Sequence, residues 1–346
     1  MSETTVQPTR KMTRPATVTL KHVAERAGVS PITVSRVINT PDAVSEPLRL
    51  KVGRAVEELG YLPNRVAGAL ASAESRVVPV IVPSLSNAVF IEVIQGVQDV
   101  LEVEGYQLLL GNTQYDLQRE QDLAATLLGW SPAGVIIAGL RHSERTRAML
   151  EAWRRPVVEI MEYGGHPIDM NVGLSHYKAG DSMAQHLIAR GYREIGFIGG
   201  GLTTDYRAMQ RFKGLDRSLA RHGLPRRPPF THEGPSSAQV GGDAFVRALE
   251  TDPELDAIFF ANDDLAVGAL LRAQREGIAV PERVAIAGFN GFGIGELMQP
   301  PLTTIVSPRK QIGQLAATKL IARVQGRDDG TACVDVGFSL RIGGST

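Results

Sequence analysis

Residues 18–39 hold the feature that most limits how this chain can fold: two short helical patterns joined by a tight turn. The first pattern has apolar residues three and four positions apart, which predicts one buried helical face made of Leu20, Val23, Ala24 and Ala27. Gly28 suits a helix end at which the backbone takes a positive φ. Ser30 followed by Pro31 is typical of a helix start. The stretch therefore predicts a helix-turn-helix.

The second helix of this pair has two different faces. Val34, Val37 and Ile38 are predicted to be buried. The opposite face holds small or polar side chains and one cation: Pro31, Ile32, Thr33, Ser35, Arg36 and Asn39. Such a helix can enter a major groove and contact bases and phosphates. An ordinary helical hairpin would turn the same face to water, and the spacing alone allows both interpretations.

A third helix is predicted between Ser45 and Gly60, and three helices can close a small bundle. Two motifs then point to a family: V-T-L-x-x-V-A-x-x-A-G-V-S-x-x-T-V-S-R-V-I-N over residues 18–39, and G-Y-x-P-N-R-V-A-x-x-L over residues 60–70. Together they resemble the lactose-repressor (LacI/GalR) family of bacterial transcription regulators. The resemblance implies an all-α DNA-binding domain at residues 18–63, followed by a hinge helix at residues 64–75.

The resemblance also implies which residues contact DNA: Thr19, Leu20, Ser30, Pro31, Ile32, Thr33, Ser35, Arg36, Asn39, Tyr61, Asn64, Ala67 and Leu70. Pro31 and Ile32 would read bases by apolar contact, and polar residues such as Asn64 would mainly hold phosphates. Leu70 would wedge into the minor groove and bend the duplex, with the small Ala67 facing the same groove. The alternative for the hinge segment is a flexible tether.

Charge and cysteine content agree with a polyanion-binding head on an intracellular protein. Residues 1–76 hold eleven Lys and Arg against seven Asp and Glu, although the whole chain is neutral. Residues 1–17 lack the apolar stretch of a signal peptide and are expected to form a disordered basic arm. Cys333 is the only cysteine and the histidines show no metal spacing, so we expect a cytoplasmic protein without disulfide, metal or cofactor.

Residues 76–346 alternate predicted strands and helices in two successive runs, which indicates two α/β lobes with parallel sheets and a cleft between them. Four phrases make this part resemble the periplasmic-binding-protein-like core of the same family: R-G-Y-R-E-I-G-F-I-G, F-A-N-D-D-L-A-V-G-A-L, V-A-I-A-G-F-N and P-L-T-T-I. We expect one lobe at about 76–174 and 305–330, and the other at about 175–304 and 331–346. Residues 300–305 are interpreted as a crossover between them, and 333–340 as a last strand.

Ligands of open α/β sheets bind beyond the carboxyl ends of the strands. The candidates for contact with a small-molecule effector therefore follow strand ends: Phe90, Glu162, Asp205, Arg207, Arg211, Asn262 and Asn290. Arg211 matches a family arginine in R-x-x-G, and Asn290 stands where relatives often carry aspartate, which favours an anionic ligand. Two other interpretations are that Asp205 pairs with Arg207 on the surface and that Asp263 caps a helix.

Residues 156–162 and 168–173 resemble the gluconate-operon repressor branch of the family. The resulting hypothesis is a repressor, homodimeric with a tetramer left open, that binds a pseudo-palindromic operator under control of gluconate. Ketogluconate, 6-phosphogluconate and other sugar acids remain alternatives. An enzyme is disfavoured because the sequence lacks a phosphate-binding loop, a metal cluster and a serine-acylase set around Ser307 to Lys310. A sugar-binding protein without gene control would leave the basic head unexplained.

Overall fold

The computed structural model of the protein describes residues 18–40, 43–61, 75–85, 88–202 and 205–346, which belong to two units that divide after residue 74. The predicted arm at residues 1–17 lies outside the described residues. So does most of the predicted hinge segment, including Asn64, Ala67 and Leu70.

The head unit contains the three predicted helices: α1 (Leu20–Ala27), α2 (Pro31–Asn39) and α3 (Glu46–Leu59). Gly28 ends α1 with a φ of 58°, as its position predicts. The Ser30 hydroxyl caps α2 by accepting a hydrogen bond from the Thr33 N–H at 3.2 Å. Apolar residues of all three helices close a small core: Val23, Ala24, Ala27, Val34, Val37, Val52, Ala55 and Tyr61. The predicted helix-turn-helix is confirmed.

The second unit contains two six-stranded sheets. The first sheet has the order β11-β5-β4-β3-β1-β2 and every pairing in it is parallel. Its strands are β1 (Val77–Val82), β2 (Gln107–Asn112), β3 (Val135–Ala138), β4 (Val157–Glu162), β5 (Met170–Leu174) and β11 (Cys333–Asp335). The helices of this lobe are α4 (Ala88–Val103), α5 (Leu117–Leu128), α6 (Glu144–Trp153) and α12 (Arg309–Val324).

The second sheet repeats the arrangement with the order β12-β10-β9-β8-β6-β7. Its strands are β6 (Ile195–Gly200), β7 (Phe230–His232), β8 (Ala257–Phe260), β9 (Ala285–Asn290), β10 (Thr303–Val306) and β12 (Ser339–Arg341). The helices are α7 (His176–Ala189), α8 (Tyr206–Arg221), α9 (Ala238–Thr251), α10 (Asp263–Glu276) and the short α11 (Gly293–Glu296). All pairings are parallel except that of β10 with β12. The predicted class of two α/β lobes is confirmed.

Three details differ from the sequence-based expectation. Residues 300–305 are not the crossover, because Thr303–Val306 forms β10 inside the second sheet, and the chain passes to the first lobe only at residues 307–308. The expected last strand at 333–340 is two strands, in different sheets, separated at residues 336–338. The expected lobe boundaries near 305 and 331 therefore move by a few residues, because period-two patterning cannot tell which sheet a short strand joins.

The first five strands of each lobe lie in the same order, β2-β1-β3-β4-β5 in the first sheet and β7-β6-β8-β9-β10 in the second. Each sheet therefore has a switch point beside its first strand, where one connection runs to one side and the next runs to the other. Such points create the crevice in which doubly wound sheets hold ligands. A close helix pair borders this crevice: a Cβ on Gly180 of α7 would overlap the backbone of Arg211 on α8, and one on Gly214 would overlap that of Tyr177. Glycine at these two positions brings α8 against the start of α7.

Among the described residues, no helix is both long enough and apolar enough to cross a membrane.

Candidate functional site

Helix α2 of the head presents the mixed face that the sequence predicts. Pro31 and Arg36 are exposed, and the Ile32 side chain is 73% exposed although it is aliphatic. The hydroxyl groups of Ser30 and Thr33 lie 2.8 Å apart at the start of the helix. The helix N-terminus thus carries small side chains beside an exposed apolar one, a suitable surface for a DNA groove.

Other predicted DNA contacts lie differently. Tyr61 is buried in the head core and Leu20 packs against that core, so the bulk of both side chains is used in folding. Thr19 precedes α1, and its backbone N–H donates to Nδ1 of His22 at 3.2 Å, which fixes the helix start. Ser35 is half-buried on α2.

In the core, Arg207, in the first turn of α8 in the second lobe, contacts residues of the first lobe. Its Nη1 lies 3.6 Å from Oε1 of Glu162 at the end of β4, and its guanidinium lies 5.8 Å from the ring centroid of Phe90 on α4. Tyr115, which the sequence analysis missed, shares a side-chain hydrogen bond with it. Burial disfavours the charge, yet Asp205, Tyr115 and Glu162 hold the pKa of Arg207 above its ordinary value. Arg207 therefore stays charged between the lobes.

Glu162 and Asp205 have different surroundings. Burial raises the pKa of the Glu162 carboxyl, and the nearby Arg207 only partly offsets this. The Asp205 carboxylate caps α8 by accepting a hydrogen bond from the Ala208 N–H at 3.0 Å. The alternative of a surface pair between Asp205 and Arg207 is wrong in this form, because the Arg207 side chain is largely buried and its ion pair is with Glu162.

Arg211 is buried in the crevice, and its guanidinium forms no ion pair with any described carboxylate. Nη1 donates to Nδ1 of His176 at 2.8 Å, the guanidinium lies 4.2 Å from the ring centroid of Phe289, and the buried Nε has no hydrogen-bond partner. Burial lowers the pKa of Arg211 to about 10; Asp205, Tyr115 and Glu162 partly offset this, and the neighbouring Arg207 adds to it. The side chain is still a cation near neutral pH.

His176, the first residue of α7, connects this arginine to the first lobe. Because arginine can only donate, Nδ1 must accept, and Nε2–H then donates to the Met161 carbonyl of β4 at 3.0 Å. The ring is tilted against Phe289, with centroids 5.4 Å apart. Burial and the charges of Arg211 and Arg207 lower the pKa of His176 well below its ordinary value. The imidazole is therefore neutral and in one tautomer.

Asn262 takes the capping role that the sequence suggested for Asp263. Asn262 is the helix cap: Oδ1 accepts from the Leu265 N–H at 3.1 Å, and Nδ2 donates to the Ser236 hydroxyl at 3.0 Å. The expectation that Asp263 caps α10 is wrong. Its buried carboxylate accepts from the Thr304 hydroxyl at 2.6 Å and the Phe292 N–H at 2.7 Å, joining the ends of neighbouring strands.

Asn290 ends β9 in a backbone conformation that asparagine rarely adopts, with a φ of 124°. The residue is 5% exposed, and its side-chain amide makes no hydrogen bond within the described part of the chain. Its carbonyl oxygen accepts from the Ser307 N–H at 3.3 Å and from Nη1 of Arg309. The structure thus places an amide that is available for hydrogen bonding at a strand end.

Sequence reasoning missed Tyr115, His176, Phe289 and Arg309. Phe289 directly precedes a predicted residue, so the strand end itself was the available signal. His176 follows β5, which the sequence analysis did not assign as a strand, so its end was not searched. The partners of Tyr115 and Arg309 are far away along the chain, and no local pattern indicates them.

In the ranges that the structure describes, no group of three or more His, Cys, Asp or Glu side chains could hold a metal ion. The crevice instead offers two buried guanidinium groups, a neutral imidazole, an amide and aromatic faces. Guanidinium groups bind carboxylates or phosphates, and amides bind hydroxyl groups. The arrangement can bind a polar anion; it contains no nucleophile held by a base.

Comparison with known proteins agrees with both units. The model of the lacI family of bacterial regulatory proteins matches residues 19–64, and that of the periplasmic binding protein-like domain matches residues 184–346. The HTH-type transcriptional regulator GntR of Pseudomonas aeruginosa is 42% identical over 340 residues, covering 98% of this chain and 97% of that protein.

Solved structures agree as well. A LacI family transcriptional regulator from Silicibacter pomeroyi is 40% identical with a TM-score of 0.89, covering 95% of this chain and 99% of that one. The lac repressor dimer bound to its operator and an anti-inducer is 26% identical with a TM-score of 0.79, covering 95% and 99%. These relatives are regulators rather than enzymes, and the chain belongs to the lacI family of DNA-binding bacterial transcription regulators.

Proposed function

We propose that this regulator is a homodimeric repressor whose operator affinity is controlled by a small sugar acid, with D-gluconate as the leading candidate. The observation that carries the ligand class is Arg211, a buried guanidinium that has no carboxylate within ion-pairing distance in the described chain. A buried charge without a counter-ion is costly, and a bound carboxylate would supply one. The motif resemblance and the similarity to GntR favour gluconate over other sugar acids.

The crevice residues fit a polyhydroxy carboxylate. Arg211 and Arg207 would hold the carboxylate, with His176 fixing the orientation of Arg211. The Asn290 amide and the Glu162 carboxyl would meet hydroxyl groups, and Phe90 would form an apolar wall. Asn262 and Asp205 cap helices and would shape the site. They would contact the ligand directly only through the oxygen lone pairs that the caps leave unused.

On the DNA side, Pro31 and Ile32 would contact base edges in the major groove. The phosphate backbone of the DNA would be bound by Thr19, Ser35, Arg36 and Asn39. Leu70, which lies outside the described residues, would enter the minor groove. A two-fold dimer reads a two-fold site, so we expect a pseudo-palindromic operator. A protein that acts on chromosomal DNA works in the cytoplasm.

For sugar-acid binding to change operator affinity, the sugar acid must bind one arrangement of the two lobes more tightly than another. A differential of about 1–3 kcal/mol, which is typical of such regulators, changes operator affinity roughly 5- to 150-fold. The ligand sits where residues of both lobes meet, so a change in the angle between the lobes changes its contacts.

The first experiment is calorimetric titration of the purified dimer with D-gluconate, 6-phosphogluconate and glucose. We expect gluconate to bind and glucose, which lacks the acid, to bind much more weakly. Arg211→Gln should weaken gluconate binding roughly 10- to 100-fold, because a hydrogen bond to a charged group is lost. Arg217→Gln, on the exposed face of the same helix, is the matched control. Equal binding of glucose and gluconate would contradict the proposal.

A second experiment separates the DNA role from the ligand role. Operator fragments selected from a random duplex pool would be titrated with Leu70→Ala and Ile32→Ala variants. Both should lose operator affinity while binding gluconate as the unchanged protein does. Loss of sugar-acid binding in the same variants would contradict the division of roles.

A further inference from the structure

The loop that follows β3 ends at a residue that is firmly fixed in the first lobe. Nδ1 of His142 lies 2.8 Å from Oε1 of Glu120, and its Nε2 lies 3.2 Å from Oε1 of Glu159. The side chains of all three residues are buried. Arg141, the residue before His142, therefore extends from a backbone position that these ion pairs hold in place.

Arg141 reaches across to the second lobe. Its guanidinium lies 5.0 Å from the ring centroid of Tyr206, the first residue of α8. A cation this close to the face of an aromatic ring is attracted by it. No carboxylate in the described chain pairs with Arg141, so the ring is the contact that directs its side chain. Arg141 is exposed and Tyr206 is half-buried, which places the contact at the rim of the crevice.

The first turn of α8 places Tyr206 beside the buried side chain of Arg207. The Asp205 carboxylate fixes the start of this helix by accepting from the Ala208 N–H at 3.0 Å. Arg207 meets the first lobe inside the crevice, where its Nη1 lies 3.6 Å from Oε1 of Glu162. Two successive residues of one helical turn thus contact the first lobe, one at the rim and one inside.

The loop after β3 takes part in both contacts. The Leu140 N–H donates to the Glu162 carboxylate, which in turn pairs with Arg207. A Cβ on Gly139 would lie 3.4 Å from Oε1 of Glu162 and 3.8 Å from Nη1 of Arg207, so the loop passes directly beside that ion pair. Arg141 follows on the same loop. Movement of α8 away from the first lobe would therefore break the inner and the outer contact together.

All of these contacts are made between protein groups, so none of them requires a ligand. A contact that is present in one arrangement of the lobes and absent from another shifts the balance between the two arrangements by its own free energy. A cation–π contact at an exposed site changes such an equilibrium about 2- to 5-fold. The shift applies to the ligand-free and the ligand-bound protein alike.

We infer that Arg141 and Tyr206 form a clasp that holds the two lobes together over the crevice and sets how fast an effector enters and leaves. Both are positioning residues, because they act by keeping Arg207 against the first lobe. The inference goes beyond the proposed function, which assigns a ligand and not the rate of its exchange. Since the clasp needs no ligand, loosening it raises the association and dissociation rates by the same factor and leaves the affinity nearly unchanged.

The test is surface plasmon resonance with the full-length protein immobilised and D-gluconate as the analyte. In Arg141→Met and in Tyr206→Leu, we expect both rate constants to rise about 2- to 5-fold and the dissociation constant to change less than about 2-fold. Tyr206→Phe keeps the aromatic ring and should restore the rates. Arg145→Met is the matched control, because Arg145 is an exposed cation of the same lobe, in the first turn of α6.

A melting curve for each variant shows whether it folds as the unchanged protein does. Unaltered rates in Arg141→Met and Tyr206→Leu would overturn the inference and leave the proposed function intact. So would a weaker affinity with an unaltered association rate, because the clasp would then form only around a bound ligand. No binding of gluconate by the unchanged protein would instead contradict the proposed function.

In that case a measurement without any ligand decides the clasp. Spin labels at Arg145→Cys and Lys213→Cys, two exposed positions in different lobes, report the distance between the lobes in a Cys333→Ser background. Arg141→Glu puts a carboxylate against the negative face of the ring and should add a longer distance to the distribution. An unchanged distribution would overturn the inference.

Discussion

The core contains two buried histidines whose surroundings have opposite charge. His142, in the first lobe, lies between two carboxylates: Nδ1 is 2.8 Å from Oε1 of Glu120 and Nε2 is 3.2 Å from Oε1 of Glu159. His176, where the lobes meet, lies against Arg211 with Arg207 nearby. Burial disfavours a charged ring in both places, but the carboxylates raise the pKa of His142 to about 9, whereas burial and the arginines lower that of His176.

The difference shows that a buried imidazole takes its charge from its neighbours, and that the charge decides its role. Charged His142 joins three elements of one lobe, α5, the segment before α6, and β4, and so acts in stability. Neutral His176 orients a cation between two lobes, and under the proposed function it would act in ligand binding. Four predictions test this contrast, beginning with the largest expected effect.

Replacing His142 by leucine should remove both of its ion pairs, with Glu120 and with Glu159. Glu120 and Glu159 would remain buried without their cation, and loss of one partner of a buried pair costs about 3–5 kcal/mol. Urea unfolding of the core, followed by circular dichroism, measures this change. His166→Leu, at an exposed histidine of the same lobe, should change the free energy of unfolding by less than about 0.5 kcal/mol. Similar losses in both variants would mean that the ion pairs contribute little.

A plot of stability against pH should fall on both sides, with an alkaline limb caused by His142 and an acidic limb caused by His176. The pKa of folded His142 is about 9 against 6.5 for the unfolded chain, so its stabilisation of about 3 kcal/mol is complete below pH 6.5 and is lost as the pH rises to 9. The pKa of folded His176 lies below 6.5, so its contribution is present above pH 6.5 and is lost as the pH falls. Melting temperatures measured from pH 5 to pH 9.5 would show both limbs.

Single substitutions assign the limbs. His142→Gln should flatten the alkaline limb and leave the acidic one, and His176→Gln should do the reverse. An alkaline limb that persists in His142→Gln would mean that another group causes it.

Replacing His176 by leucine should weaken gluconate binding by about 10-fold, because Arg211 loses the acceptor that orients it. His176→Gln keeps a hydrogen-bonding group and should restore part of the affinity. Calorimetry with gluconate and the uncharged polyol D-glucitol measures the effect. We expect only the acid to be affected, and an equal loss for the polyol would indicate a general packing role for His176.

The smallest effect is expected at an ion pair that water surrounds. Arg26 and Glu58 of the head form a pair whose side chains are 58% and 51% exposed. Arg26→Ala should change head stability by less than about 1 kcal/mol, and the change should vanish at high salt. Thermal melts in low and high salt check this. A loss as large as that of His142→Leu would remove the distinction between buried and exposed partners.

Local patterns predicted most of the fold. The turn at Gly28, the cap at Ser30 and the strand at Val77–Val82 each depend on neighbouring residues, and all were found as expected. The short strands β5 and β7 were missed, because their residues carry no distinct alternation. The split of residues 333–340 into β11 and β12 depends on partners in two sheets, which the segment itself does not encode.

The crevice was predicted only in part, for the same physical reason. Arg207, Arg211 and Asn290 follow strand ends that the sequence marks. His176 acts through Arg211, which is 35 residues away, and Arg309 acts through Glu92, 217 residues away. Whether a buried charge is paired depends on such distant neighbours, so the sequence could name the cations but not which of them lacks a counter-ion.

The chain passes between the lobes three times, and the three passages lie side by side. Residue 175 leads from β5 into α7, residues 307–308 lead from β10 into α12, and residues 336–338 join β11 to β12. β11 pairs with β5 and β12 with β10, so the three segments form one row. Two lobes that are joined by three adjacent chain segments can rotate relative to each other essentially about one axis only, the line of those segments. A ligand that bound in the crevice would therefore act mainly on one quantity, the angle between the two lobes.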